Sequence, residues 1–283
     1  MILIADSGAT KTTWCLLGGP GKKLINTQGI SPYFLNTDQI IALLQKELIP
    51  KLKAAEIDEI FYYGTGCSNP ANVALVKAAL KNAIPGAKKI NINHDLMGIA
   101  RAACGSTKGV ACILGTGSNS CVFNGKKITK NNPAPGYVLG DEGSGAYLGK
   151  KVIQHFIYKT FDEDLMHRFK LKYDTEYTQI LHNVYKEPLA NRYLASFAPF
   201  LSENRGHYMV ENIIEDGLSD FFFTHLYKYT ETWTLPIHFV GSIAYHFKDV
   251  LQELCGSFEL QLGGVIKAPM DGLIEFHSGN LNR

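Results

Sequence analysis

The sequence predicts an α/β protein in two similar lobes, and three observations lead there. A chain of 283 residues amounts to about two domains at the usual size of about 150 residues each. Strand-like apolar runs alternate with helical patterns along most of the chain, the arrangement that builds α/β layers. A strand, turn, strand, turn, strand series at the N-terminus also returns about 105 residues later.

In the first copy, Ile2-Leu-Ile-Ala5 is a short apolar run stopped by Asp6-Ser7-Gly8-Ala9-Thr10-Lys11. Thr12 to Leu17 is then rich in β-formers and ends at Gly18-Gly-Pro-Gly21, which reads as strand, polar turn, strand, turn. Lys22 to Gln28 predicts a third strand that completes an antiparallel meander. In the second copy Val110 to Leu114 is a strand, Gly115-Thr-Gly-Ser-Asn-Ser120 a polar turn, Cys121 to Phe123 a strand, and Lys126 to Thr129 a third strand. Both copies carry Gly-Lys-Lys followed by Leu or Ile, at Gly21 to Leu24 and Gly125 to Ile128. A surface hairpin needs only two turn residues, whereas both first turns hold several small, hydroxyl and glycine residues. Two such loops, one per lobe, would grip a single polyanion from both sides; two hairpins alike by chance are the plain alternative.

Between the copies the pattern predicts a helix at Thr37 to Leu52, a strand at Glu59 to Tyr63, a helix at Pro70 to Asn82, a strand at Lys89 to Asn93 and a helix from about Leu96 to Ala103. Asn131 to Pro135 is a loop by composition. After Gly136 to Gly145, helical patterns run to about Tyr229; then come a strand at Pro236 to Val240, a helix at Ser242 to Cys255, a strand at Phe258 to Leu262 and a closing helix at Pro269 to His277. The lobes therefore divide near residues 105 to 110, as 1–107 and 108–283. With no low-complexity linker, they are expected to be packed and hinged by short connections.

Composition narrows the function. The chain is 46% hydrophobic and 19% charged, and 28 Lys+Arg against 26 Asp+Glu leave +2, a balance that argues against a disordered chain and against a nucleic-acid binder. No run approaches the roughly 18 apolar residues of a membrane span, and the short run at Ile2 has no basic region before it, so no secretory leader is expected. Six cysteines at 15, 67, 104, 112, 121 and 255 form no C-x-x-C pair; they read as reduced, buried thiols of a cytoplasmic protein. None of the nine histidines falls in H-E-x-x-H.

Four places carry chemistry. In the first turn Ser7, Gly8 and Ala9 are small enough for backbone N–H groups to approach phosphate oxygens, Thr10 and Thr12 add hydroxyls, Lys11 adds charge, and Asp6 is a hard oxygen ligand for Mg²⁺. The bland alternative is a turn with a solvated lysine. No G-x-x-x-x-G-K-[ST] occurs, and Gly115-Thr-Gly117 has Ser120 where a G-x-G-x-x-G would place its third glycine. Asp95 follows a strand and opens a helix, where it would serve equally as the base that accepts a hydroxyl proton or as a helix cap; His94 reads as its structural neighbour. Gly140-Asp-Glu-Gly-Ser-Gly145 places two carboxylates in a glycine-rich turn, either to bind sugar hydroxyls or to start the next helix. Val240-Gly241-Ser242 is a strand-to-helix turn on which a nucleobase could lie, with Tyr245 nearby.

Taken in order, Asp6 to Thr12, Asp95, Gly115 to Asn119, Gly140 to Ser144 and Val240 to Ser242 resemble the motifs of the sugar kinase–hsp70–actin superfamily. Within it the chain resembles the N-acetylglucosamine kinase and BadF/BadG/BcrA/BcrD-type ATPase family over almost its whole length. The resemblance implies two ribonuclease-H-like lobes, the actin-like ATPase fold, around a nucleotide cleft holding ATP and Mg²⁺. It implies Asp95 as the base for a sugar 6-hydroxyl. Thr10, Thr116, Gly115 and Gly117 would contact phosphates. Ser118, Asn119, Gly136, Tyr137, Val138 and Asp141 would lie against an amino sugar, and Gly241 and Tyr245 against adenosine. A last helix at about 269–279 would pack back on the N-terminal lobe, and the resemblance leaves room for a homodimer.

Departures from the family pattern are Ser7 and Ala9 for glycine, and Tyr33 where amino-sugar kinases carry a sugar-binding asparagine, with Asn36 three residues later. The expected activity is therefore phosphorylation of N-acetylglucosamine or a related amino sugar, with a small sugar and ATP as partners, and no nucleic acid or membrane. An ATPase that drives a partner redox enzyme or dehydratase is the alternative; such relatives hold an iron–sulfur cluster, and the cysteines here show no matching pattern. A sugar-responsive binding module without catalysis is a third reading, and no DNA-binding extension is expected ahead of the strand at Ile2.

Overall fold

The computed structural model describes residues 1–8, 11–18, 21–53 and 55–281. The chain forms two compact units, one of Met1–Thr107, Gly125–Lys127 and Pro269–Arg283, the other of Lys108–Asn124 and Ile128–Ala268.

In the first unit β1 (Ile2–Ser7), β2 (Lys11–Leu17) and β3 (Lys23–Gln28) form an antiparallel meander, and β4 (Glu59–Gly64) and β5 (Lys89–His94) run parallel to β1, in the order β3-β2-β1-β4-β5. The central strand β1 reads as a continuous apolar run because both of its faces are covered, whereas β3 at the edge alternates. One face packs Leu3, Ala5 and Trp14 against α1 (Thr37–Glu47), α2 (Ile49–Leu52) and α3 (Pro70–Ala83) through Ile40, Leu44, Leu52, Val76 and Leu80. The other packs Ile2, Ile4, Cys15 and Tyr63 against α13 (Met270–Leu281) and α4 (Asp95–Cys104). Each such fully buried aliphatic side chain contributes about 1.5–3 kcal/mol. Local signals set the helix starts: Asn36 and Gln39 close a capping box on α1, and Asn69 caps α3 ahead of a first-turn proline.

The second unit repeats the topology. Its β6 (Lys108–Leu114), β7 (Ser118–Asn124) and β8 (Ile128–Asn131) form the meander, and β9 (Ile237–Val240) and β10 (Leu262–Ile266) run parallel to β6, in the order β10-β9-β6-β7-β8. Read from the opposite edge, this is the same third-second-first-fourth-fifth order, with every pairing in the same sense. Helices α5 (Gly145–Ile157), α6 (Glu163–Lys172), α7 (Tyr177–Tyr185), α8 (Ala190–Ala195), α9 (Pro199–Glu203) and α10 (Tyr208–Thr224) occupy most of the insertion between β8 and β9. Their core is built on Phe161, Phe169, Phe200, Phe221 and Phe222.

Several boundaries differ from the sequence reading. The last strand is not Phe258 to Leu262 but Leu262–Ile266, because α12 (Lys248–Ser257) runs on to Ser257 and Glu259 adopts a left-handed turn. The helix expected over Ser242 to Cys255 breaks at Phe247 into α11 (Ser242–His246) and α12. The buried Phe247 ring is held there under the Arg205 guanidinium. All six cysteines are buried. Among the described residues no helix is long and apolar enough to cross a membrane.

Candidate active site

Because β1, β4 and β5 are parallel, their C-terminal ends lie side by side and bring three separate loops to one edge of the first sheet. Gly8 N donates to Lys11 O at 3.0 Å and closes the β1–β2 turn; Ala9 and Thr10 lie outside the described residues. Ser7 and Thr12 face each other across the stem with their hydroxyl oxygens 2.7 Å apart, both buried. Thr12 thus spends its hydroxyl on the stem of the loop, while Lys11 is exposed. Thr65 N donates to Ser7 O at 3.0 Å and ties the β4 loop to the first.

Two carboxylates share this edge. Asp6 is largely buried, and its carboxyl is pushed up to about 6, first by desolvation and then by the negative charge of Asp95, with Lys11 opposing. Asp95 is the first residue of α4 and is half-buried; Oδ1 accepts from Leu96 N at 2.8 Å, and Oδ2 accepts nothing among the described residues. The helix starts one residue earlier than the sequence reading had it, and His94, not Asp95, occupies the cap position. Burial lowers the pKa of His94 and so favours its neutral form.

At the corresponding edge of the second sheet, the β6–β7 turn is braced by the start of α5: Gly145 N donates to Gly115 O at 2.8 Å and Ala146 N to Thr116 O at 3.0 Å. Thr116 stands exposed at the tip. Ser118 N donates to Asp141 Oδ1 at 3.3 Å, and burial raises the Asp141 carboxyl above its usual range. Next to it Glu142 Oε2 lies 3.7 Å from His225 Nε2, outside hydrogen-bond distance, and His225 Nδ1 lies 3.2 Å from the buried Ser120 hydroxyl. Gly241 has φ +130, and a β-carbon there would stand 2.2 Å from Leu114 O. Only glycine lets the β9–α11 turn come this close to the second loop.

A cavity of about 380 Å³ lies beside this loop, lined by Thr116, Gly145, Ala198, Ser202, Ile243 and His246 among others. Tyr245 is not in its wall; it is half exposed on α11, with Lys267 Nζ 5.5 Å from its ring. Gly136 and Val138 belong to an exposed turn ahead of Asp141, and Tyr137 is half-buried against the core of the second unit. Asn119 uses its carbonyl oxygen on Ser120 N and Asn131 Nδ2.

Sequence reasoning missed the β4 loop, Gly64-Thr65-Gly66, which sits between the first turn and Asp95. The repeat of the triplet at Gly115-Thr-Gly117 was the available signal. It also missed the α8–α9 wall of the cavity, for which Ala198 and Ser202 give none. Tyr33, exposed over 64% of its surface, packs against Gly66: a β-carbon on that glycine would be 2.8 Å from the ring.

No family model matches the chain, and no curated protein matches it. Among solved structures, a Porphyromonas gingivalis protein provisionally named N-acetylglucosamine kinase is 38% identical, with a TM-score of 0.94 over 99% of this chain and 100% of that one. A Chromobacterium violaceum protein of the same provisional name is 16% identical, with a TM-score of 0.72 over 97% of this chain and 98% of that one. MreB 5 of Spiroplasma citri, solved with AMPPNP, is 10% identical with a TM-score of 0.60 over 99% of this chain and 95% of that one; these two show the fold alone. The sheet order repeated in both units, the two braced turns, and 38% identity along the whole of both chains make this chain a member of the N-acetylglucosamine kinase family, with the actin-like ATPase fold.

Proposed function

We propose that the chain is an ATP-dependent sugar kinase that transfers the γ-phosphoryl group of ATP to the 6-hydroxyl of N-acetylglucosamine or a close amino sugar. The observation that carries this reading is Asp95 at the open end of a parallel strand, with one carboxylate oxygen unengaged among the described residues and a second, largely buried carboxylate, Asp6, in its field. The name of the 38%-identical relative supports the substrate class.

In this reading Asp95 Oδ2 takes the proton of the sugar hydroxyl as its oxygen attacks the γ-phosphorus, and the bond to the β–γ bridging oxygen breaks to release ADP. The β1–β2 and β6–β7 turns act together on the triphosphate, with Lys11 and the backbone N–H groups of both loops placed on its oxygens. Adenosine occupies the cavity beside Gly241 and His246. Asp141 and Glu142 hold sugar hydroxyls, and Tyr33 offers a flat face to the ring. Asp6 fits Mg²⁺ as a hard oxygen donor, and the neighbouring Asp95 makes a cation there electrostatically favourable; the cation would neutralise charge on the phosphates. Buried thiols and a balanced charge fit a cytoplasmic enzyme that acts as a monomer or homodimer on small molecules.

The test is Asp95→Asn. Phosphotransfer measured by coupled ADP release is expected to fall about 10²- to 10⁴-fold, the usual contribution of a placed general base, while nucleotide affinity stays within about twofold. Full turnover in the variant would remove Asp95 from the reaction.

A further inference from the structure

A second cavity of about 380 Å³ runs along β5, an edge strand of its sheet, and its lining is cationic: Arg101 from α4 and Lys77 from α3 line it together with Asn91 and Asn93. Phe61 and Tyr63 pair with Asn91 and Asn93, so these four share the α4 face of the sheet, while Ile92 and Val73 give the other side an apolar wall. Among the described residues no carboxylate lines this cavity, and neither Arg101 nor Lys77 has an ion-pair partner. Among the described residues the Arg101 guanidinium donates once, from Nη1 to the Tyr63 hydroxyl at 2.7 Å. It lies 5.6 Å from the Tyr63 ring centre and 5.2 Å from that of Phe276. Its Nε is fully buried with no acceptor, a costly state for a charged donor. Glu59, on the same face of the sheet as Phe61, is engaged by Lys89 Nζ and Asn91 Nδ2, both at 2.8 Å.

We infer that this cavity is a binding site for a small phosphate monoester. A guanidinium held over two rings, a second cation from the other side of the sheet and the Asn93 amide offer donors to the oxygens of a phosphate group. The volume falls in the range of ligand pockets, about 300–1,000 Å³, larger than a bare ion requires, and the apolar wall suits the body of an ester. The site does not use Asp6, Asp95 or either phosphate loop, so it stands whether or not the kinase reading holds.

The experiment follows the Arg101 Nε–Hε resonance in ¹⁵N-labelled protein, with AMPPNP and Mg²⁺ present to fill the nucleotide site. N-Acetylglucosamine 6-phosphate and inorganic phosphate are titrated separately. The ester is expected to shift this resonance saturably and at lower concentration than inorganic phosphate. Lys77→Glu, on an exposed helical position, is expected to weaken the ester at least about tenfold, as loss of a charge-assisted hydrogen bond does. Arg101→Gln should weaken it at least as much. An Arg101 resonance that does not move with either probe, or unchanged affinity in Lys77→Glu, overturns the site; equal affinity for inorganic phosphate overturns the ester assignment.

Discussion

Asp6 has a cost for the fold that its proposed role explains. Its carboxyl stands at about 6 in the folded chain against an ordinary 3.8. The folded state therefore binds this proton more tightly than the unfolded state, so stability is lost as pH rises from about 4 through 6 and the penalty is constant above that. Two pH units correspond to about 2–3 kcal/mol at most. Asp6→Asn is accordingly expected to be more stable than the parent chain by about 1–3 kcal/mol in denaturant unfolding at pH 8, with the difference vanishing near pH 4, and to lose metal-dependent turnover. Turnover of the parent chain should rise between pH 5 and 7 as Asp6 ionises. A variant less stable than the parent at pH 8 would show that the carboxylate is favourably held after all.

Elements dock by contacts that a single atom can disturb. Helix α13 crosses α4 at Gly272, where a β-carbon would stand 2.2 Å from Ala102 O. Gly272→Ala must push the two helices apart, so we expect a loss of about 1–3 kcal/mol, the usual cost of overpacking, read as a lower denaturation midpoint. Unchanged stability would mean that the crossing has slack. Most elements were legible in the sequence because their signals are local: the capping box at Asn36, the proline after Asn69, the apolar run of β1. The misplaced ones answer to tertiary contacts. Gly263-Gly264 reads as a strand breaker, yet these residues lie inside β10, where the pairing register shifts and the His238 ring fills the space that a side chain on Gly263 would need. Phe247 breaks a helical pattern with no glycine or proline, through its burial under Arg205.

At the scale of the molecule, the two sheets share one strand order and one set of pairing senses, and the two polar turns are its equivalent first hairpins. The duplication could be read from Gly-Lys-Lys and the turn composition, but the parallel additions β4–β5 and β9–β10 could not, because parallel neighbours leave no turn signal between them. The turns that bear the candidate residues could be read where glycine, threonine and aspartate mark a strand end. The stem hydrogen bond of Thr12 and the exposed face of Tyr245 could not be read, because a sequence does not tell which way a side chain faces. The equivalence of the hairpins also explains why two loops so far apart in the chain have similar composition: each is the first turn of the same fold unit.

That both turns serve one triphosphate is tested most directly by a crystal structure with AMPPNP, Mg²⁺ and N-acetylglucosamine. The account expects backbone N–H groups of the Gly8–Lys11 turn and of the Gly115–Gly117 turn within about 3.2 Å of oxygens of the same triphosphate, and the Asp95 carboxylate against the sugar 6-hydroxyl. A nucleotide held by one turn alone, with the other facing solvent, would contradict it.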